Sequence, residues 1–341
     1  MRRFSLMMMM VMMSVLALGC GVDSLSGGGD AGPPVPDLAP AADLALPPDL
    51  YFSPVQACAE TTAAICKRLN DCAPALVKLA YGDVTACAAR LGIHCTNRFD
   101  LPGTSASPLR AHLCAAALAG SSCDDLTAGK LPGDCTPLPG TLIAGTACAD
   151  DAQCASAACV KPVGSGCGVC GVAPKAGESC AKLSCTTGLA CGSANAICAP
   201  YARLNEACDA NHPCLPTLAC KGANKVGTCI TPLAIGAQCD PAAVEYAGCN
   251  LARSEYCAPG ARTCQALPFA GPGGQCGLAN GSFTVCSASG HCDAIAVFLP
   301  GRCIGAAPDG AACDGAKGPD CTPPAVCSGG ICKLTDPMSC R

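Results

Sequence analysis

The sequence predicts small disulfide-rich modules rather than domains with an oily interior: an N-terminal disulfide-stapled α-helical bundle, then six tandem cysteine-rich repeats of short-β and irregular structure. Three observations predict this. The chain of 341 residues carries 35 cysteines. Aromatic residues are only 3% of the total and tryptophan is absent, so the 50% of hydrophobic residues leans on alanine and cysteine. Small side chains bury little area each and fall short of the conformational entropy lost on folding. Cross-links that restrict the unfolded chain, at typically ~2–4 kcal/mol each, make up the difference. Finally, helical periodicity stops near Thr136 and a recurring cysteine pattern replaces it.

Residues 1–19 read as a leader. Met1-Arg2-Arg3 is positive, and Phe4 to Leu18 is an apolar run rich in methionine. As a helix that run rises only about 22 Å, short of a ~30 Å hydrocarbon core, so it reads as a signal peptide and not a membrane span. Ala17-Leu18-Gly19-Cys20 resembles the bacterial lipobox, with leucine one place later than in the commonest form. The resemblance implies that Cys20 is diacylated and anchors the mature N-terminus to a bacterial membrane, with the outer membrane or cell surface as the expected location. Parity agrees, because a lipidated Cys20 leaves 34 cysteines, enough for 17 disulfides. Disulfides at this density need an oxidising, extracytoplasmic compartment. Without the leader, 19 basic side chains face 25 acidic ones. No basic stripe interleaved with aromatics exists, which argues against a nucleic-acid partner.

Residues 20–53 hold the lipidated cysteine and a spacer rich in proline and glycine, in which Pro-Asp-Leu recurs beside Ala-Asp-Leu. Such composition cannot bury enough to fold and is expected to be a disordered or polyproline-like tether.

Residues 54–140 read as a helical module with eight cysteines. Ser53 is placed as an N-cap, with Pro54 at the first helical position and Gln56 completing a capping box. Cys58, Ile65, Leu69 and Cys72 share one helical face. Asp83 caps a second helix carrying Cys87, which Gly92 ends; Ser107-Pro108 starts another, with Leu109, Leu113 and Ala117 along its face and Gly120 as its stop. Pro74 to Ala80 is a further short helical candidate. Cys58 and Cys66 are separated by about 12 Å of helical rise, beyond the ~7 Å a disulfide allows, so they pair elsewhere. Cys58, Cys66, Cys72, Cys87, Cys95, Cys114, Cys123 and Cys135 supply four bridges whose connectivity stays open at this stage.

Residues 141–341 hold six repeats, at about 145–172, 173–200, 201–230, 231–266, 267–305 and 306–341. Their cysteines fall in fours: Cys148, Cys154, Cys159, Cys170; then Cys180, Cys185, Cys191, Cys198; then Cys208, Cys214, Cys220, Cys229. Cys239, Cys249, Cys257, Cys264 follow, then Cys276, Cys286, Cys292, Cys303, and lastly Cys313, Cys321, Cys327, Cys332. Three positions before each opening cysteine stands Gly145, Gly177, Asn205, Gly236, Gly273 or Gly310. Glycine and asparagine best tolerate positive φ, so a left-handed residue is predicted in each of these turns. Closing cysteines follow glycine in Gly168-Val169-Cys170, Gly227-Thr228-Cys229, Gly301-Arg302-Cys303 and Gly330-Ile331-Cys332, whereas Ala196-Ile197-Cys198 and Arg262-Thr263-Cys264 depart from the pattern. Cys167 and Cys340 stand outside the scheme and are expected to pair with each other or across chains.

In cysteine order and in the Gly-x-x-Cys opening, residues 145–332 resemble the cysteine-rich repeats of myxobacterial-type surface lipoproteins, modules similar to the N-terminal cysteine-rich domain of Dickkopf proteins. The resemblance implies short β-hairpins with first-to-third and second-to-fourth pairing; spacing alone does not show that.

Signatures of chemistry are missing. Cys167-Gly168-Val169-Cys170 is a lone C-x-x-C without a partner pair, and reads as structural disulfide rather than zinc or redox dithiol. His94, His112, His212 and His291 are scattered singly. Asp150-Asp151, Asp209, Asp240 and Asp314 follow opening cysteines and fit either calcium ligands or Asx turns. No catalytic, cofactor or metal residue is assigned. The expected role is non-enzymatic: binding, adhesion or envelope structure through disulfide-framed loops, with a protein or envelope ligand. The alternative is a protease inhibitor, for which Thr217-Leu218 and Arg253-Ser254 lie in candidate loops.

Overall fold

A computed structural model describes residues 52–340 apart from 163–164, 224–225 and 295–298. The leader, Cys20 and nearly all of the spacer lie outside the described residues. The N-terminal part forms a helical hub: α1 Pro54–Cys72, α2 Pro74–Ala80, α3 Val84–Gly92, α4 Pro108–Leu118 and α5 Cys123–Thr127. Serine and aspartate caps set the helix starts: Ser53, Asp83, Ser107 and Ser122 each accept a hydrogen bond from a backbone N–H three residues on. Cys58 bonds Cys95, Cys66 bonds Cys87, Cys72 bonds Cys123 and Cys114 bonds Cys135. Leu69, Val77, Tyr81, Leu118 and Leu126 fill the space between these bridges.

Gly92 ends α3 as expected, and His94 takes a left-handed conformation at φ 61° two residues on. Two local expectations need correction. Gln56 does not close a capping box; its Nε2 donates to Glu60 Oε1 at 2.9 Å, one turn along the same helix. On α4 the buried side chains are Cys114 and Leu118, while Leu109 and Leu113 are 39% and 42% exposed. The bridge from Cys114 to Cys135 turns the neighbouring row of the helix inward.

All six repeats share one disulfide-crossed hairpin, to which the fifth adds strands in a five-stranded sheet. The third and fourth cysteines face each other across an antiparallel hairpin: Cys159 and Cys170, Cys191 and Cys198, Cys220 and Cys229, Cys257 and Cys264, Cys292 and Cys303, Cys327 and Cys332. Neither bonds the cysteine it faces. The third bonds the first and the fourth bonds the second, so two bridges cross within each hairpin. The predicted left-handed residue is present throughout, from φ 68° at Asn205 to φ 87° at Gly236. Its N–H donates to the carbonyl of the closing cysteine in every repeat, for example Gly145 to Cys170 at 2.8 Å and Gly310 to Cys332 at 2.8 Å. A Cβ at Gly145, Gly177, Gly236, Gly273 or Gly310 would meet nothing within 4 Å. Backbone handedness, not space, selects glycine there.

The glycine two places before the closing cysteine has two physical causes. At Gly168 and Gly227 a Cβ would lie 2.4 and 2.5 Å from a carbonyl of the facing strand, so the approach of backbones requires glycine. Gly330, Ala196 and Arg262 instead sit at positive φ in tight turns. One signature in the sequence therefore covers two requirements, and the variants fall where only the milder one applies.

The repeats do not form an extended string. They wrap the hub, and each one touches it. Asp150 of the first repeat pairs with Arg98 at 2.8 Å. The Gly188 N–H of the second donates to Ala128 O at 3.0 Å, and Thr217 Oγ1 of the third donates to Asp124. The 3-10 turn Leu251–Arg253 of the fourth packs on α2, and Ser289 Oγ of the fifth donates to Ala80 O at 2.8 Å. In the sixth, Asp309 takes a bidentate pair from Arg90 at 2.7 and 2.9 Å, and the same guanidinium donates to Thr322 O and Pro323 O. Consecutive repeats also meet, as in Pro162 with Leu183, Ser193 with Ala210, Lys221 with Ala247, Gly260 with Gly281, and His291 with Asp320. The disulfide Cys167–Cys340 then joins the first repeat to the tail of the last. A six-membered collar is thus closed covalently around a helical hub.

Candidate functional site

The collar leaves a cleft of about 1470 Å³ between the hub and the first two repeats. Its floor is aliphatic, from Ile65 and Leu69 of α1 and Leu91 at the end of α3. Asp150, Asp151, Lys161 and Lys175 come from the repeats, and Arg98 and Arg110 from the hub. No phenylalanine or tyrosine is among these lining residues.

The two adjacent carboxylates do different work. Asp150 accepts from the Ala152 N–H at 3.0 Å and pairs with Arg98, capping the turn Asp151–Gln153. Burial pushes its carboxyl up, but the Arg98 guanidinium and the Ala152 N–H outweigh that and hold it below the ordinary range. Asp151 is 8% exposed and accepts from the Cys159 N–H at 2.6 Å. Burial, helped by the neighbouring Asp150 charge and opposed by that hydrogen bond, raises its carboxyl to about 6. Lys161 is half-buried beside both. Burial lowers its ammonium below the ordinary range, despite the attraction of Asp150 and Asp151. Among the described residues no hydrogen bond or ion pair holds its Nζ. Both acids are thus held by structural bonds, and the Lys161 ammonium, attracted by their charges, lines the cleft beside them.

The remaining residues singled out in the sequence do not converge. Asp209, Asp240 and Asp314 each accept backbone N–H groups two or three residues on, which makes them Asx turns within their own repeats. His94 lines the cleft, His112 pairs with Glu60 at 2.6 Å and stacks on Phe52, His212 lies 3.4 Å from Asp209, and His291 lies 3.2 Å from Asp320. Triplets of cysteine sulfurs such as Cys148, Cys154 and Cys170 lie within 4.8 Å of one another. Crossed disulfides produce that crowding, and a sulfur in a disulfide is not the thiolate a metal needs. Arg98, Arg110, Lys161 and Lys175 escape sequence reasoning. They come from four separate segments and share no local motif; only the doublet Asp150-Asp151 marks the place.

Comparison with models of protein families, with curated proteins and with solved structures finds no match. Among the described residues no helix is long and apolar enough to cross a membrane.

Proposed function

We propose that this chain is a non-enzymatic, lipid-anchored extracytoplasmic binding protein, built of Dickkopf-like cysteine-rich repeats and held to a bacterial membrane through Cys20. The cleft between hub and collar is its binding site. The observation that carries this reading is a cavity of about 1470 Å³ whose walls are fixed by crossed disulfides. Walls that cannot relax lose little conformational freedom when a ligand enters, which favours affinity. Both carboxylates of the cleft are committed to structural bonds, which suits a binding wall better than acid–base chemistry. The order of disulfide pairing and the glycine three places before each opening cysteine support the resemblance to the lipoprotein repeats. The inhibitor reading is less well supported, because Thr217 is engaged by Asp124 of the hub and the turn Leu251–Arg253, next to Ser254, packs on α2.

Two measurements test the reading. Radiolabelled palmitate is expected in the wild-type chain and not in Cys20→Ser. A photo-crosslinker at Leu138, on the cleft, is expected to capture a discrete envelope component on intact cells, whereas one at Ile143, an exposed position that does not line it, is not. Equal capture from both positions, or none from either, sinks the cleft as a binding site.

A further inference from the structure

We infer that the cleft is a docking site for an acidic, leucine-bearing peptide and that residues 36–50 of this chain are that peptide, so that the binding site is occupied in cis until an external ligand displaces it. The inference rests on the cleft proposed above and adds its regulation.

Charge is the first argument. Arg98, Arg110, Lys161 and Lys175 stand against Asp150 and Asp151 around the cleft, an excess of two positive charges in a chain whose net charge is −4. A concave, partly apolar wall concentrates that potential. Residues 36–50 read PDLAPAADLALPPDL, with Asp37, Asp43 and Asp49 and no lysine or arginine. The second argument is shape and apolarity. Each of these aspartates precedes a leucine, at a spacing of six residues. Asp-Leu pairs match a cationic wall over an aliphatic floor, the wall offering Lys161 and the floor Ile65, Leu69 and Leu91. A neutral sugar is a poorer fit, because the lining lacks the phenylalanine and tyrosine faces on which sugar rings stack.

Connectivity is the third argument. Phe52, the first described residue, stacks on His112 with ring centroids 3.9 Å apart. His112 is two residues from Arg110, which lines the cleft, and α1, which starts at Pro54, runs on to Thr61, Thr62 and Ile65 in the same lining. The chain preceding Phe52 therefore starts at the N-terminal end of α1, about 10 Å of helical rise from Thr61 in the lining. Fifteen extended residues reach up to about 50 Å, so the whole cleft is accessible to the segment 36–50 without strain. A short connection also gives the docked state a high effective concentration, in the millimolar range.

The test is amide hydrogen exchange of residues 36–50 in the intact chain carrying Cys20→Ser, against the free synthetic peptide of the same sequence. Protection of about tenfold is expected in the chain. It is expected to vanish in Lys161→Met and, independently, in the double variant Asp43→Asn/Asp49→Asn, which leaves the folded part untouched should Lys161→Met fail to fold. Exchange at the free-peptide rate in the unaltered cleft, or protection that survives the Asp→Asn changes, overturns the inference. Protection that appears only at high protein concentration also overturns it, since a second copy would then be the partner. Capture of an envelope component from Leu138 together with an unprotected segment 36–50 would leave the binding site standing and remove only the docking in cis.

Discussion

The hub and a single repeat bury different things. In the hub, four bridges run beside Leu69, Val77, Leu118 and Leu126, each on or near a helix that satisfies its own backbone hydrogen bonds. In the third repeat the buried cluster is Ala202, Cys208 and Cys229, with only Leu218 as a partly buried large side chain. The first repeat is barer still, with four cysteines and Leu142. Sulfur supplements an apolar core in the hub and replaces one in these two repeats, whereas Tyr256, Leu267, Phe269, Phe283 and Val285 form an apolar cluster where the fourth and fifth repeats meet. The difference explains the architecture. Outside the fifth repeat, which has a five-stranded sheet, two or three strands of two to five residues cannot stand alone in water, so each repeat is cross-linked internally and then leans on the hub and on its neighbours.

Reduction separates the two regions most strongly. Each repeat bridge closes a loop of 11 to 18 residues and is worth about 3 kcal/mol. Full reduction is therefore expected to abolish exchange protection of the closing-cysteine amides, such as Cys170 and Cys229, while part of the helical circular-dichroism signal of α1 and α4 persists. Helix and strand signals lost together at one reductant concentration would break the distinction. Cys167→Ser/Cys340→Ser is expected to do less: the repeats keep their own bridges, and only the seam between the first repeat and the tail loosens to proteolysis.

A second effect lies where hub and first repeat meet. Asp151 has a folded pKa of about 6 against an ordinary value of 3.8. A carboxyl raised on folding favours the native state fully below its unfolded pKa, and that contribution is lost as pH rises through the folded value. The first repeat is thus expected to weaken between pH 4 and 6, by up to roughly 3 kcal/mol. Asp151→Asn keeps an acceptor for the Cys159 N–H and is expected to flatten that dependence, read as amide exchange at Cys159 and Cys170 across the interval.

Much of the fold was legible in the sequence, for a physical reason: cysteines and left-handed glycines act locally and leave a fixed spacing. The six opening turns, the caps at Ser53, Asp83 and Ser107, and the impossibility of a Cys58–Cys66 bridge all follow from a few residues each. Counting left Cys167 and Cys340 over, and they bond each other. The collar was not legible. Its contacts join residues distant in the chain, 52 apart for Arg98 with Asp150 and 219 apart for Arg90 with Asp309, and no local pattern announces them. The same holds for the cleft, whose doublet Asp150-Asp151 was visible but whose cations were not. On α4 the periodicity pointed to Leu109 and Leu113, and a bridge chose the adjacent row instead.

Arg90 tests how far the repeats depend on the hub. Its guanidinium, 19% exposed, holds Asp309 and two carbonyls of the sixth repeat. Arg90→Ala is expected to lose about 2 kcal/mol of docking, seen as faster exchange at Cys332 with no change at Cys198. An equal rise in both would mean that the collar unfolds as one body.

The smallest effects concern the opening turns, where chain handedness is the only variable. Gly177 sits at φ 86° with open space around its Cα, so Gly177→Ala adds no clash and only the strain of a left-handed alanine, about 1 kcal/mol. A fivefold faster exchange at Cys198, which closes the same repeat, is the expected reading. Gly168→Ala is the control, since its Cβ would strike Val160 O at 2.4 Å and the loss at Cys170 should be larger. Asn205, at φ 68°, already tolerates the conformation. Asn205→Gly relieves little strain and frees the unfolded chain, so Cys229 exchange is expected to stay within a factor of about two of the wild type. A large loss there would mean that the asparagine side chain, and not its backbone angle, holds the turn.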